Sequence, residues 1–257
     1  MPVKLHSETF GEGESLIILH GLFGWRRNWR SIARKLSSQF KVYCVDLRNH
    51  GDSEHAESMN YKDMSDDLHH FLTVNGLSKV SILGHSMGGK VAMAFALSHS
   101  ELVEQVIVLD IAPVRYENEF MHFIDAMMKL DLSSINSRSQ ANDLLKTDIA
   151  DNTLRMFLLQ NLLVRNDKFY WRINLAAIKS GIADISDFPA FREDIQYKKQ
   201  ALFLSGEESS YVQSEYHPTI KGYFPTSSIV EIPSAGHWLH ADQPTRVLEV
   251  ITRFLNP

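Results

Sequence analysis

The chain has 257 residues, a formal net charge of −5 and a hydrophobic fraction of 44%. The chain is long and apolar enough to form the core of one large α/β domain, or of one domain with an insertion. The negative net charge argues against nucleic-acid binding, which requires a cluster of excess lysine and arginine residues. No apolar stretch approaches the roughly 18 residues of a membrane-spanning helix, so we expect no membrane span.

The only cysteine, Cys44, lies in an apolar run, so we expect a buried strand position and no internal disulfide. The first residues contain neither an apolar segment nor a small-residue cleavage site typical of a signal peptide. These features predict a cytoplasmic protein. The basic residues Arg26, Arg27 and Arg30 fit a charged helix start or loop better than a phosphate-binding patch.

Short continuous apolar runs recur along the chain, as is typical of strands buried on both faces. They predict strands over residues 16–19, 40–46, 80–83, 106–109, 201–204 and 229–232. Helical patterns lie between them, at residues 63–74, at 91–97 and after Pro244. Strands alternating with helices predict an α/β fold with a mostly parallel central sheet and helices on both faces.

Residues 114–188 break this alternation and contain no convincing strand. They show only helix-like stretches, at residues 120–130, 139–145, 153–164 and 173–178. We therefore predict a core formed by residues 1–113 and 189–257, with residues 114–188 inserted as a helical cap. Some apolar side chains of this cap are expected to roof the site.

The most informative motif is G-x-S-x-G, between a predicted strand and a predicted helix. This context predicts a nucleophile elbow, a sharp and strained turn that projects Ser86 from the sheet. Gly84 and Gly88 flank the turn because a side chain there would collide with strand or helix. The amide of Met87, at the helix N-terminus, is expected to face an oxygen that becomes negative beside Ser86.

A serine hydroxyl is a poor nucleophile at neutral pH and requires a general base. The best candidate is His237, because it follows the last predicted strand, where α/β enzymes hold their ligands. Chain order also favours a late histidine. His240 is the alternative, although it is expected to enter the next element.

The acid that orients the base is harder to assign. In the common arrangement of such a serine, acid and histidine, the acid follows the strand before the histidine strand, here the strand at 201–204. The loop after this strand carries no aspartate and has Ser209 near the expected place. One strand earlier, Asp110 lies at a C-terminal strand tip. We prefer Asp110 over Glu207 or Glu208, because it is a shorter carboxylate fixed at a strand end.

The second oxyanion donor is predicted in the loop His20-Gly21-Leu22-Phe23-Gly24, with the amide of Leu22 preferred and that of Phe23 as the alternative. The chain contains no H-E-x-x-H motif, no cysteine cluster and no glycine-rich phosphate loop. We therefore predict neither a metal nor any other cofactor.

Four motifs together resemble the α/β-hydrolase superfamily: the loop at 20–24, D-L-R-N-H-G-D-S at 46–53, the elbow at 84–89 and G-H-W at 236–238. Asn49 replaces the usual glycine of the second motif. With D-I-A-P at 110–113, the combination is similar to YbfF-type esterases and related abhydrolase-domain proteins. This resemblance implies a carboxylesterase or thioesterase with a small helical cap, no cofactor, and an acid that has moved one strand earlier.

The sequence therefore predicts a serine hydrolase that cleaves carboxylic esters of small or medium acyl chains through an acyl-enzyme. Its catalytic residues are Ser86, Asp110 and His237, and its oxyanion amides are Leu22 and Met87. The expected partner is a small-molecule ester, not a nucleic acid, and the protein is expected to be a monomer or homodimer. The alternatives are a thioesterase, a hydrolase of carbon–carbon bonds in diketones, and a ligand receptor on the same fold.

Overall fold

The computed structural model describes residues 1–117, 119–192 and 194–256. Its main sheet contains these strands: β1 (Ser7–Phe10), β2 (Glu14–Leu19), β3 (Phe40–Val45), β4 (Val80–His85), β5 (Val103–Leu109), β8 (Ala201–Gly206) and β9 (Ser228–Ile232). Their order in the sheet is β1-β3-β2-β4-β5-β8-β9. Only the pairing of β1 with β3 is antiparallel, and the other pairs are parallel. The predicted α/β fold with a mostly parallel sheet is confirmed.

Helices cover both faces of this sheet. They are α1 (Arg30–Leu36), α2 (Tyr61–Val74), α3 (Met87–Ser98), α8 (His217–Tyr223), α9 (Leu239–Asp242) and α10 (Pro244–Leu255). Leu16 and Ile18 of β2 pack in the layer of α1 and α10, whereas Ile17 and Leu19 pack in the layer of α2 and α3. This alternation follows from the two-residue period of a strand. Within the described residues, no helix has both the length and the apolar character needed to cross a membrane.

All the predicted strands are present, although β5 begins earlier, at Val103. The sequence analysis missed β1, whose residues Ser-Glu-Thr-Phe form no apolar run. This strand lies at the edge of the sheet and pairs only with β3. An edge strand can remain partly polar because one of its sides faces solvent.

A second group of elements lies between β5 and β8. It contains α4 (Met121–Lys129), α5 (Arg138–Leu145), α6 (Asn152–Leu159), β6 (Leu162–Arg165), β7 (Lys168–Trp171) and α7 (Leu175–Ser186). The expectation of helices alone is wrong here, because β6 and β7 form an antiparallel hairpin. Asn166 and Asp167 form its turn with φ values of 50° and 58°. An Asn-Asp pair tolerates this left-handed backbone. The predicted helix at 153–164 ends at Leu159, because the chain enters the strand β6 at Leu162.

One buried lysine connects the two ends of this insertion to the core. Lys90 on α3 is 1% exposed. Its ammonium donates hydrogen bonds to the carbonyl oxygens of Val114, at 2.8 Å, and of Ser186 and Asp187, at 3.1 and 2.8 Å. Val114 lies between β5 and α4, and Asp187 directly follows α7. Lys90 therefore holds both connections on the helix that follows Ser86.

Candidate active site

The strand register brings the predicted residues to one edge of the sheet. His85 of β4 pairs with Leu109 of β5, so Ser86 and Asp110 follow at the same level. The Ser86 amide donates to the Leu109 carbonyl at 3.0 Å, and the Asp110 amide donates to the Leu204 carbonyl at 2.8 Å. Because these strands are parallel, the loops at their carboxyl ends meet above this edge.

The turn at Ser86 has the strained backbone of a nucleophile elbow. Ser86 has φ 51° and ψ −121°, and a non-glycine residue rarely adopts a positive φ. A Cβ atom at Gly84 would lie 2.2 Å from the Gly88 carbonyl oxygen. One at Gly88 would lie 2.5 Å from the carbonyl oxygens of Leu19 and His20. Both glycines are therefore required by close backbone contact, as the motif predicts.

Asp110 and His237 are in direct contact. Asp110 is fully buried, and its Oδ2 atom lies 2.8 Å from Nδ1 of His237. The same carboxylate accepts hydrogen bonds from the Gly206 amide, at 3.0 Å, and from the Ser209 hydroxyl. Because a carboxylate accepts, Nδ1 of His237 carries the proton of this bond. A neutral His237 then has its lone pair on Nε2, where a base needs it.

The alternative acids and the alternative base make other contacts, although His240 lines the same cavity as Ser86. Glu207 accepts a hydrogen bond from the Ser234 amide at 2.8 Å, and the side chain of Glu208 is exposed. The ring of His240 stacks on Trp29 with a centroid separation of 4.3 Å. Burial lowers the pKa of His240 to about 3. In the described part of the chain, only His237 combines a buried carboxylate partner with a position at this edge.

Two neighbours that the sequence analysis missed hold His237. The Tyr211 ring stacks on the imidazole at 4.2 Å between centroids. His85 donates from Nε2 to the His237 carbonyl oxygen at 2.8 Å. Burial keeps the pKa of His85 well below its usual value, so His85 is neutral. It therefore fixes the backbone of His237 without adding a charge.

The two candidate amides of the oxyanion loop differ in their hydrogen bonds. The Phe23 amide donates to Nε2 of His50 at 3.1 Å, so it is already engaged. The Leu22 amide has no hydrogen-bond acceptor among the described residues. Met87 is the first residue of α3, where an amide has no partner within the helix. The geometry thus favours Leu22 over Phe23, beside Met87.

Ser86 and His237 line one cavity, whose volume including its open mouth is about 530 Å³. Among the described residues, Ser86 Oγ makes no hydrogen bond to His237, and such bonds are often long in a protein without substrate. Apolar side chains form most of the remaining wall. The insertion contributes Phe120, Phe123, Leu154 and Phe157, and the core contributes Leu22, Phe23 and Trp238. The expected apolar roof over the serine is present.

The basic residue Arg26, which follows the loop at 20–24 in the sequence, is buried. Its guanidinium pairs with Asp46 and, at 2.7 Å, with Asp52. The Arg26 amide also donates to Asp46 at 2.6 Å. Side-chain oxygens of Asp46 and Asp52 and a ring nitrogen of His6 lie within 4.8 Å of one another, but the guanidinium already neutralises the carboxylates. The Arg26 guanidinium is therefore engaged by carboxylates, which does not fit a phosphate-binding patch.

Comparison with known proteins identifies the class. The family model described as alpha/beta hydrolase fold matches residues 14–244. The chain belongs to this family, and the resemblance found in the sequence motifs is confirmed.

The individual relatives include esterases and lipases. The chain is 41% identical over 267 residues to the sn-1-specific diacylglycerol lipase ABHD11 of Danio rerio, covering 100% of this chain and 84% of the relative. It is 32% identical over 245 residues to the esterase YbfF of Escherichia coli K12, covering 94% of this chain and 92% of the relative. A solved structure titled marine microorganism esterase superposes with a TM-score of 0.95 at 42% identity, covering 98% of this chain and 99% of the other. Such relatives support a hydrolase of the esterase and lipase type.

Proposed function

We propose that the protein is a carboxylesterase that hydrolyses esters of small or medium acyl chains. Ser86 is the nucleophile, His237 the general base and Asp110 the acid that orients the base. The observation that carries this proposal is the 2.8 Å hydrogen bond between His237 Nδ1 and the buried Asp110, beside a cavity shared by His237 and Ser86. The fold alone supports many chemistries, so the proposal depends on these residues.

The first half of the reaction forms an acyl-enzyme. Ser86 Oγ attacks the ester carbonyl carbon, and its proton moves to Nε2 of His237. The carbonyl oxygen becomes an oxyanion that accepts hydrogen bonds from the Leu22 and Met87 amides. Each donor of this kind typically contributes about 10²–10³ in rate. The carbon–oxygen bond to the alcohol then breaks, and the alcohol leaves with the proton from His237.

The second half returns the enzyme to its starting state. Water attacks the acyl carbonyl carbon while His237 takes one of its protons. The same two amides hold the second oxyanion. The bond to Ser86 Oγ then breaks, the proton returns from His237 to Ser86, and a carboxylic acid is released. Asp110 stabilises the His237 imidazolium in both halves of the reaction and does not itself become protonated.

The cavity supports the substrate class. Small-molecule sites are lined mostly by apolar side chains with a few polar groups, and this cavity combines an apolar wall with Ser86 and His237. The aromatic and aliphatic wall favours an apolar acyl group over a charged one. We assign residues 114–188 as the cap that supplies this wall, and residues 1–113 and 189–257 as the core.

A series of p-nitrophenyl esters from acetate to laurate tests the proposal, together with thioesters of the same acyl groups. We expect the esters to be turned over and a fluorophosphonate to phosphonylate Ser86 alone, with loss of fluoride. The S86A variant should lose both, whereas S81A, which removes a serine hydroxyl from the same segment, should retain both. Turnover retained in S86A would contradict the assigned nucleophile. Faster thioester hydrolysis would favour a thioesterase, and binding without turnover would favour a receptor.

A further inference from the structure

The backbone of Phe23, next to the proposed oxyanion donor, is strained and held from both sides. Its φ of 62° lies in the left-handed region, which a non-glycine residue rarely adopts. Such a conformation persists only where the surroundings fix it. The Phe23 amide donates to His50 at 3.1 Å, and its carbonyl oxygen accepts from Nδ2 of Asn161 at 2.7 Å.

These two partners come from different parts of the molecule. His50 belongs to the loop after β3 in the core, and its Nδ1 donates to the Arg48 carbonyl at 3.0 Å. That bond leaves Nε2 as the acceptor that the Phe23 amide requires. Asn161 belongs to the insertion, between α6 and β6. One residue of the oxyanion loop is therefore clamped between core and insertion.

The side chain of Asn161 is held in one orientation by its other hydrogen bonds. It is fully buried, and its side-chain oxygen accepts from the Arg172 guanidinium at 3.3 Å. The Asn161 carbonyl oxygen accepts from the Arg172 amide at 2.8 Å. With its oxygen directed to Arg172, the side chain directs its NH₂ group to the Phe23 carbonyl. A buried amide with this many partners has one favourable orientation.

Gln160, next to Asn161, also attaches the insertion to the core. Gln160 accepts hydrogen bonds from Trp25 Nε1, at 3.1 Å, and from Asn28 Nδ2, at 2.9 Å. Trp25 also packs against the Arg172 guanidinium, which lies 3.5 Å from its ring centroid. These contacts already hold the insertion against the core. Gln160 Nε2 also reaches the Phe23 carbonyl oxygen, but at 3.5 Å and from a partly buried side chain. The Asn161 bond to the same oxygen is buried and measures 2.7 Å, so it is the stronger hold on the backbone next to the Leu22 amide.

We infer that Asn161 is a positioning residue, through which the insertion orients the Leu22 amide toward the oxyanion. This inference rests on the proposed function, because it concerns the oxyanion of that reaction. Rotation of the Phe23 backbone would turn the preceding peptide groups and move the Leu22 N–H from its target. The insertion therefore contributes to rate as well as to the apolar wall of the cavity.

The test uses the full-length protein with Asn161→Leu, which keeps the side-chain size and removes the donor. Asn161→Asp is a second variant, which retains an oxygen for Arg172 and also lacks the donor. Asn142→Leu is the matched control, since Asn142 in the insertion accepts from Arg155 at 3.0 Å and does not contact the oxyanion loop. Active sites are counted by end-point fluorophosphonate labelling, so that unfolded protein does not lower the measured kcat.

For both Asn161 variants we expect kcat to fall about tenfold to a hundredfold while KM changes less than twofold. Affinity for a trifluoromethyl ketone, which forms an oxyanion on Ser86, should fall by a similar factor. An unchanged kcat, an equal loss in Asn142→Leu, or a loss confined to KM would overturn the inference. Failure of the proposed function would be distinct, because the wild-type protein would then show neither labelling nor turnover.

Discussion

Asp110→Asn is the sharpest test of the proposed acid. The Asp110 carboxylate accepts from His237 and Ser209 through Oδ2 and from the Gly206 amide through Oδ1. An asparagine provides only one oxygen. If that oxygen stays on the Gly206 amide, the NH₂ group faces His237. Nδ1 must then accept, and the proton of a neutral imidazole moves to Nε2.

The size of the effect follows from this change of tautomer. With Nε2 protonated, His237 cannot take the proton of Ser86, and the imidazolium loses its buried counter-charge. We expect kcat to fall by up to about 10⁴, equivalent to about 5 kcal/mol of transition-state stabilisation. The substrate does not touch Asp110 in the proposed mechanism, so KM should change little.

Steady-state hydrolysis of p-nitrophenyl butyrate measures this loss, with thermal unfolding to verify that the variant is folded. Glu207→Gln is the matched control, since it also converts a carboxylate to an amide beside this edge. Glu207 contacts the Ser234 amide rather than His237, so its kcat should stay within about threefold of wild type. A D110N variant within tenfold of wild type, or an E207Q variant with the larger loss, would refute the assignment.

Three further predictions concern stability and specificity. Burial lowers the pKa of Lys90 to about 7 from its ordinary value of 10.5, so the unfolded chain binds more protons between these values. The free energy of unfolding of the wild type, measured in urea, should therefore rise relative to Lys90→Met from pH 7 to pH 10, by at most about 1.4 kcal/mol per pH unit. Parallel curves for the two proteins would contradict this linkage. Gly88→Ala would place its Cβ 2.5 Å from two carbonyl oxygens, and we expect a loss of about 1–3 kcal/mol by the same assay, with Gly222→Ala, where nothing lies within 4 Å, as the control. Phe157→Ala removes a ring that packs on Trp238 at 5.7 Å between the Ser86 cavity and an outer groove, so kcat/KM across the ester series should shift toward longer acyl chains. An unchanged chain-length optimum would show that Phe157 does not limit the cavity.

The sheet was largely predictable because burial on both faces produces continuous apolar runs. The strand β4, Val-Ser-Ile-Leu-Gly-His, is almost completely buried, and its apolar core marks it without an alignment. The elements that were missed lack this signal. The strand β1 is short and polar, and the hairpin β6–β7 carries exposed residues among its apolar ones. The Asn166-Asp167 pair, which forms the turn of this hairpin, was the local sequence feature that could have predicted it.

The proximity of the candidate catalytic residues was predictable for a similar reason. In a parallel sheet, residues that follow neighbouring strands meet at one edge, which places Ser86 after β4 beside Asp110 after β5. His237 follows β9, two strands from β5, and reaches Asp110 through the loop after Ile232. Their catalytic roles remain predictions that the variants above test. The contacts of His85 and Asn161 were not predictable, since each joins residues more than 130 positions apart. No local pattern encodes such a pairing.

The loop after β8 is consistent with the proposed acid lying one strand earlier. This loop lacks an aspartate, but its Gly206 amide and Ser209 hydroxyl both donate to Asp110. It therefore supplies two hydrogen-bond donors to a buried carboxylate on the neighbouring strand. An aspartate at position 209 would instead bring a second negative charge against the first, and one of the two would have to bind a proton. Serine at 209 and aspartate at 110 are thus mutually compatible choices, and the departure from the common pattern becomes support for Asp110 rather than an objection to it.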